Sequence, residues 1–187
     1  PFVNLVFNAK NLSNHLYFAN TATNSEELLI KPFQYSENIN YVSLEANKEF
    51  KYKKWAFDNR FLFQQVDQNN PIINVPDLLF RSTVYYTDFV FKNAMEIQIG
   101  LSGQYFTSYF ANNYNPVLGE FYVQNITKIG NFPLMDFFIN AKVRQTRFFI
   151  KAEHFNSSFT GYNYYSAPDY PYRDFIVRFG LVWNFFL

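Results

Sequence analysis

The chain has 187 residues, a formal net charge of +1, no cysteine and two histidines. These numbers exclude disulfides, thiolate catalysis and the usual cysteine-based zinc clusters, and they leave no basic footprint for a nucleic-acid partner. Aromatic residues make up 22% of the chain and charged residues 17%, so there is too much apolar surface for a disordered protein.

The strongest pattern along the chain is the alternation of apolar and polar residues with a period of two, which is typical of β-strands. In the opening stretch the alternation is clear at Val3, Leu5, Phe7 and Ala9 and then blurs. The faces of 78–91 and 147–156 cannot be assigned, because both sides of these segments are apolar. We predict strands over residues 3–18, 38–50, 55–66, 78–91, 95–110, 133–144, 147–156 and 173–187.

The last of these segments shows the alternation best. A helix would scatter its apolar residues around the circumference, whereas a strand places all of them on one side. The residues predicted to share that side, and to face lipid, are Phe175, Val177, Phe179, Leu181, Trp183, Phe185 and Leu187.

The connections between the predicted strands alternate between long and short. The long ones lie near 19–37, 67–77, 111–132 and 157–172, and the short ones near 51–54, 92–94 and 145–146. In an up-and-down sheet this order places every tight turn at one end, as in outer-membrane barrels with short periplasmic turns and long external loops. Residues 1–187 are therefore predicted to form a single β-barrel domain.

Alternation alone does not say whether the apolar face points into a core or out into lipid, and a lipocalin-like barrel would show the same period. Three observations favour lipid. The aromatic residues are too many to fit inside an eight-stranded barrel, many of them lie near strand ends as in interfacial girdles, and the segments are long enough to cross a membrane as tilted strands. No run of residues is long and apolar enough for a spanning helix.

The predicted fold is therefore all-β: a transmembrane up-and-down antiparallel β-barrel with about eight strands in this chain. Hydrocarbon offers no hydrogen-bond partners to a strand edge, so the sheet must close on itself or on further strands. Eight strands can close alone, or they can be the C-terminal part of a larger barrel.

The polar faces of the predicted strands carry charges that are candidates for lining a pore. Alternatively, these charges form cross-strand ion pairs that fill the narrow interior of a closed barrel. These lumen-facing candidates are Glu45, Glu49, Asp58, Arg60, Glu96, Asp136, Lys142, Arg144, Lys151, Glu153 and Arg178.

The sequence predicts no catalytic residues, no metal site and no cofactor. It contains no nucleophile elbow, Gly-rich phosphate loop or His-Glu-x-x-His motif. His154 follows Glu153, but adjacent strand residues point to opposite faces and cannot act as a pair. Asp136 and Glu153 could approach as two carboxylates, although solvated lumen charges are the simpler interpretation.

Several stretches resemble the Bacteroidetes-type family described as putative outer-membrane porins. The similarity is densest in NYNPVLGEFYVQN (113–125), in KIGNFPLMDFFINAKVRQTRFFIKAEHFNSSFTGYNYYSAPDYPYRDF (128–175) and in VRFGLVWNFFL (177–187), and it also includes ANKEFKYKKWAFDNRFLFQQV (46–66) and INVPDLLFRSTVYYTDFVF (73–91). The resemblance implies a pore. Members are usually longer, which implies that this chain is a C-terminal portion.

The terminal strand is similar to the insertion signal that the bacterial barrel-assembly machinery reads, with Phe185 and Phe186 just before Leu187. We expect an outer-membrane porin that lets small polar solutes pass without a cofactor. The alternatives are a non-conducting accessory barrel of a larger outer-membrane complex and, third, the last strands of an energised transporter. The expected partners are outer-membrane lipid, other outer-membrane proteins and the assembly machinery, and no nucleic acid.

Overall fold

A computed structural model of the chain describes residues 2–22, 28–159, 161 and 164–185. No helix in this described part is long and apolar enough to cross a membrane. The strands are β1 (Asn4–Leu12), β2 (His15–Asn20), β3 (Ile30–Tyr35), β4 (Ile39–Tyr52), β5 (Trp55–Asp67), β6 (Leu78–Val90), β7 (Met95–Phe106), β8 (Asn113–Asn115), β9 (Glu120–Tyr122), β10 (Leu134–Val143), β11 (Thr146–Glu153), β12 (Tyr165–Ala167), β13 (Tyr170–Pro171) and β14 (Ile176–Trp183).

The main feature is one eight-stranded sheet with the order β1-β4-β5-β6-β7-β10-β11-β14. Every neighbouring pair is antiparallel, and each strand lies beside the previous long strand of the chain. The predicted all-β, up-and-down antiparallel sheet is thereby confirmed. Strands β1 and β14 form its two edges, and the described residues of these edges do not pair with each other. Closure into a barrel therefore stays a prediction.

The register of the sheet sorts the side chains into two faces. Leu101 of β7 lies opposite Val84 on one side and Phe137 on the other, whereas the next residue, Ser102, lies opposite Thr83 and Asp136. Successive side chains of a strand point to opposite faces, so these rows separate completely. We call the side of Leu101 the apolar face and the side of Ser102 the polar face.

Burial on the two faces is the reverse of that in a water-soluble protein. Leu101 is 46% exposed and Ser102 only 8%, and in β4 Leu44 is 41% exposed and Ser43 only 3%. Burying apolar surface stabilises a fold in water, so this distribution is unusual for a sheet that packs its apolar face into a core.

The opening segment differs from the prediction. The predicted strand over 3–18 is divided into β1 and β2, because Asn14 adopts a left-handed backbone with φ of 55° between them. Asparagine tolerates this conformation better than most residues, which makes it a common turn residue. The strand predicted over 95–110 also ends early, at Phe106.

As predicted, the short connections lie at one end of the sheet and the long connections at the other. Short turns join β4 to β5, β6 to β7 and β10 to β11, and long segments make the other connections of the sheet. We predict loops for the long connections, but their described residues include the two-stranded ribbons β2-β3, β8-β9 and β12-β13. In the first ribbon, β3 lies inside the connection predicted over 19–37, whereas most of β2 lies inside the strand predicted over 3–18. The other two ribbons have strands of two or three residues, which are too short to show a period.

A hydrophobic core lies where these long connections meet the end of the sheet, at the start of β4. Tyr35, Ile39 and Ile72 form a buried cluster, against which Val123 packs. The backbone N–H of Val123 also donates to the carbonyl of Phe18 at 2.8 Å, which joins two connections directly. The long connections thus form one packed cap at one end of the sheet.

Gly100 of β7 offers a test of the packing on the polar face. A Cβ at this position would lie 2.5 Å from Cζ of Phe138 and 2.7 Å from the carbonyl oxygen of Val84. We expect Gly100→Ala to lower the free energy of unfolding by about 1–3 kcal/mol through overpacking.

The matched control is Gly103 in the same strand, whose Cβ would meet no described atom within 4 Å. Gly103→Ala is expected to leave the free energy of unfolding, measured by urea titration in lipid vesicles, unchanged or slightly raised. Equal losses in both variants would contradict the described packing.

Candidate functional site

The polar face carries almost all the charges that the sequence assigned to a lumen. One cross-strand row of the sheet runs through Glu49, Asp58, Thr83, Ser102 and Asp136. Further positions on this face are occupied by Glu45, Arg60, Glu96, Lys142, Lys151, Glu153 and Arg178. Arg144 lies in the turn after β10 with φ of 52°, so it is at the sheet end rather than on the wall.

Two ion pairs lie on the β4-β5 side of this face. Arg60 Nε lies 3.1 Å from Glu45 Oε1, and Lys51 Nζ lies 2.8 Å from Glu49 Oε2. The Tyr85 hydroxyl also donates to Glu49. The cations are more than half exposed, so each pair contributes at most about 1 kcal/mol to stability. Their main effect is to hold the side chains in place.

A larger network lies on the β10-β11-β14 side. Lys151 Nζ lies 2.9 Å from Asp136 Oδ2 and 3.1 Å from Glu153 Oε1. Glu153 Oε2 in turn has Arg178 Nε at 3.1 Å and Arg173 Nη2 at 3.6 Å. Two carboxylates are thus shared among three cations, and the network carries a net positive charge.

The network borders a small cavity of about 210 Å³ between the sheet and the connection that leads into β14. Its wall is polar and includes the buried hydroxyl of Ser102, which is hydrogen-bonded to Thr83 at 3.0 Å. The lining residues are Arg81, Ser102, Gln104, Leu134, Asp136, Lys151, Glu153, Tyr172 and Arg173. We call this cavity the arginine pocket.

A buried histidine fixes one wall of the arginine pocket. His154 Nδ1 lies 2.7 Å from the carbonyl oxygen of Arg173; a carbonyl only accepts, so Nδ1 carries the proton. The His154 backbone N–H donates to Asp136 Oδ1 at 2.9 Å, and its ring packs edge-on against Tyr164 at 4.3 Å. Burial raises the pKa of Tyr164. These contacts tie Arg173 to the end of β11.

Sequence reasoning missed Arg81, Arg147 and Arg173. Arg81 and Arg147 lie in the two segments whose faces could not be assigned, and only the register places them, with Arg81 opposite Arg60 and Arg147 opposite Lys142. Pairing each of these two segments with a neighbouring strand of clear alternation would have assigned both arginines to the polar face. Arg173 lies outside the strands, so no periodicity could have found it.

The apolar face of β14 bears the side chains that were assigned to lipid. Val177, Phe179, Leu181 and Trp183 pair in register with Ala152, Ile150, Phe148 and Thr146, on the side opposite Arg178. Phe179 is 82% exposed. Phe175 precedes this strand and Phe185 follows it, and Leu187 lies outside the described residues.

Aromatic side chains gather at the short-turn end of the apolar face. Trp55 packs edge-on against Tyr86 at 5.2 Å, and Trp183 stacks on Phe185 at 4.7 Å. In the adjoining turn, the hydrogen bond from Lys54 to Asp88 raises the pKa of the Lys54 ammonium group. Such rings beside charged turns are typical of a boundary between apolar and aqueous surroundings.

The family described as "Putative porin" matches residues 2–187. No curated protein and no solved structure matches the chain.

Proposed function

Because the chain belongs to the putative porin family, we propose that it is a bacterial outer-membrane protein through which small polar solutes pass passively along the polar face. The observation that carries this proposal is the inverted burial, with Leu101 exposed and the neighbouring Ser102 buried. Acyl chains solvate the apolar face at no cost, whereas the same face in water would promote aggregation.

The open edges of the sheet fit this proposal under one condition. An unpaired strand edge in hydrocarbon leaves its N–H and C=O groups without partners, at several kcal/mol per group. In a bilayer β1 and β14 therefore have to pair, either with each other or with additional strands. Because the charges lie on the polar face, either form of closure with the apolar face towards lipid places them inside the barrel.

Planar-bilayer recording tests the proposal. The intact natural protein is expected to give stepwise, ohmic openings in potassium chloride, because water-filled barrels conduct ions without an energy source. Heat-denatured protein is the control and should give none. Absence of openings from protein that is shown to be folded and inserted would contradict the proposal.

A second candidate is a non-conducting accessory barrel in a larger outer-membrane complex. It is supported by the contents of the polar face, where Phe138 lies over Gly100 and Phe149 over Gly180 and where carboxylates are neutralised by neighbouring cations. Eight strands with such a filling would leave no channel. Silent bilayers together with co-purification of stoichiometric partners in mild detergent would favour this candidate, and isolation of the barrel always alone would count against it.

A further inference from the structure

We propose that the arginine pocket binds small solutes that carry an oxyanion, a carboxylate or a phosphate group, with Arg81 and Arg173 as the binding residues. The proposal rests on the proposed function and deepens it, because it names the class of solute that the polar face takes.

Cations outnumber carboxylates around the arginine pocket. The pocket lining contains three cationic side chains, Arg81, Lys151 and Arg173, and two carboxylates. Arg178 adds a further cation by its contact with Glu153. The two carboxylates are therefore outnumbered two to one, and an entering anion meets a positive potential that the surrounding wall does not cancel.

Arg81 is the cation with no carboxylate beside it. Its partners in the register on the two neighbouring strands are Arg60 and Gln104, and Arg60 forms an ion pair with Glu45. Within the part of the chain that the structure describes, no carboxylate lies within 4 Å of the Arg81 guanidinium. Like charges directly opposite on a sheet are destabilising, so a bound anion would relieve the Arg60–Arg81 pair.

Arg173 supplies the second group from the opposite wall. Its guanidinium is 3.6 Å from a Glu153 oxygen that already has Arg178 at 3.1 Å, so this carboxylate is shared. The Arg173 guanidinium also lies over the Tyr172 ring at 5.9 Å. Planar guanidinium groups bind carboxylates and phosphates in a two-pronged manner.

The pocket is built rather than incidental. His154 holds the Arg173 carbonyl at 2.7 Å, and Lys151 is fixed between Asp136 and Glu153. Ser102 and Gln104 add neutral hydrogen-bonding groups to the floor. A volume of about 210 Å³ accommodates a small anion and not a large one. Because the pocket lies on the polar face, away from the face proposed to contact lipid, we expect its ligand to be a dissolved solute rather than a lipid headgroup.

Phosphorus NMR line broadening of inorganic phosphate tests the proposal on the folded protein in a non-ionic detergent free of lipid. We expect saturable binding by the natural chain, and binding at least about tenfold weaker in Arg81→Gln and in Arg173→Gln, because each variant loses a charged hydrogen-bond donor. Acetate should compete with phosphate, since it presents the same oxyanion, and choline should not compete.

Lys92→Gln is the matched control, because it removes the same charge from the short turn between β6 and β7. It should leave phosphate binding unchanged. Equal weakening in all three variants, or no saturable binding by the natural chain, would overturn the proposal. Far-ultraviolet circular dichroism of each variant ensures that a loss of binding is read only on folded protein.

This measurement is separate from the test of the proposed function. It needs neither a bilayer nor a voltage. A protein that conducts but does not bind phosphate overturns the pocket proposal alone, whereas a protein that binds phosphate but stays silent in bilayers contradicts passive passage and supports the pocket.

Discussion

Leu181→Arg is expected to lower the free energy of unfolding in lipid vesicles by about 2–4 kcal/mol, the cost of a cationic side chain on the lipid face near the bilayer centre. Leu181 lies in β14 on the apolar face, opposite Phe148, and it is more than half exposed. In water, arginine at an exposed position would cost almost nothing. The size of the effect therefore reports what surrounds this face.

The neighbouring position provides the control. Val182 is also exposed but lies on the polar face, opposite Arg147. Val182→Arg is expected to cost no more than about 1 kcal/mol, the usual range for like charges facing each other across a sheet. Urea-induced unfolding, followed by tryptophan fluorescence, measures both variants. A harmless Leu181→Arg, or a Val182→Arg that is equally damaging, would contradict the assignment of the faces.

His154→Ala is expected to lower the free energy of unfolding by about 3–5 kcal/mol, as other truncations of buried rings do. The side chain is 2% exposed and packs against Tyr164. The variant also leaves the Arg173 carbonyl without its imidazole donor, so the connection that forms one wall of the arginine pocket should detach. We therefore expect phosphate binding to be lost together with stability.

The chain's other histidine, His15, provides the comparison. It lies at the start of the β2-β3 ribbon and is only partly buried, so His15→Ala should cost less than about 1 kcal/mol. Thermal unfolding in detergent measures both variants. Similar costs for the two histidines would contradict the role of His154 as the anchor of this connection.

The sheet could be predicted from the sequence because each strand shows its own pattern of apolar and polar residues. Alternation along a strand depends only on the residue period, so the faces of β7, β10 and β14 follow directly from residues such as Leu101, Asp136 and Arg178. Where both faces are apolar, as in β6 and β11, local pattern gives no answer. Only pairing with a neighbouring strand places Arg81 and Arg147 on the polar face.

The cap and the arginine pocket could not be predicted from the sequence, because they depend on contacts between distant segments. Asn113 of β8 donates to Asp169 near β13, and Arg173 reaches Glu153 across a connection that includes a ribbon of its own. Such contacts are set by tertiary packing and carry no periodic signal. Because only regular strands carry a periodic signal, most of the predicted lumen charges are residues of such strands.

The chain's two tryptophans can test, without any substitution, whether the apolar face contacts lipid. Trp55 and Trp183 are both about half exposed, and their register partners Tyr86 and Thr146 lie on the apolar face at the short-turn end. In vesicles of phosphatidylcholine brominated in the acyl chain close to the headgroup, we predict strong quenching of tryptophan fluorescence and little quenching by aqueous iodide. Strong quenching by iodide with no effect of the brominated lipid would contradict contact between the apolar face and lipid.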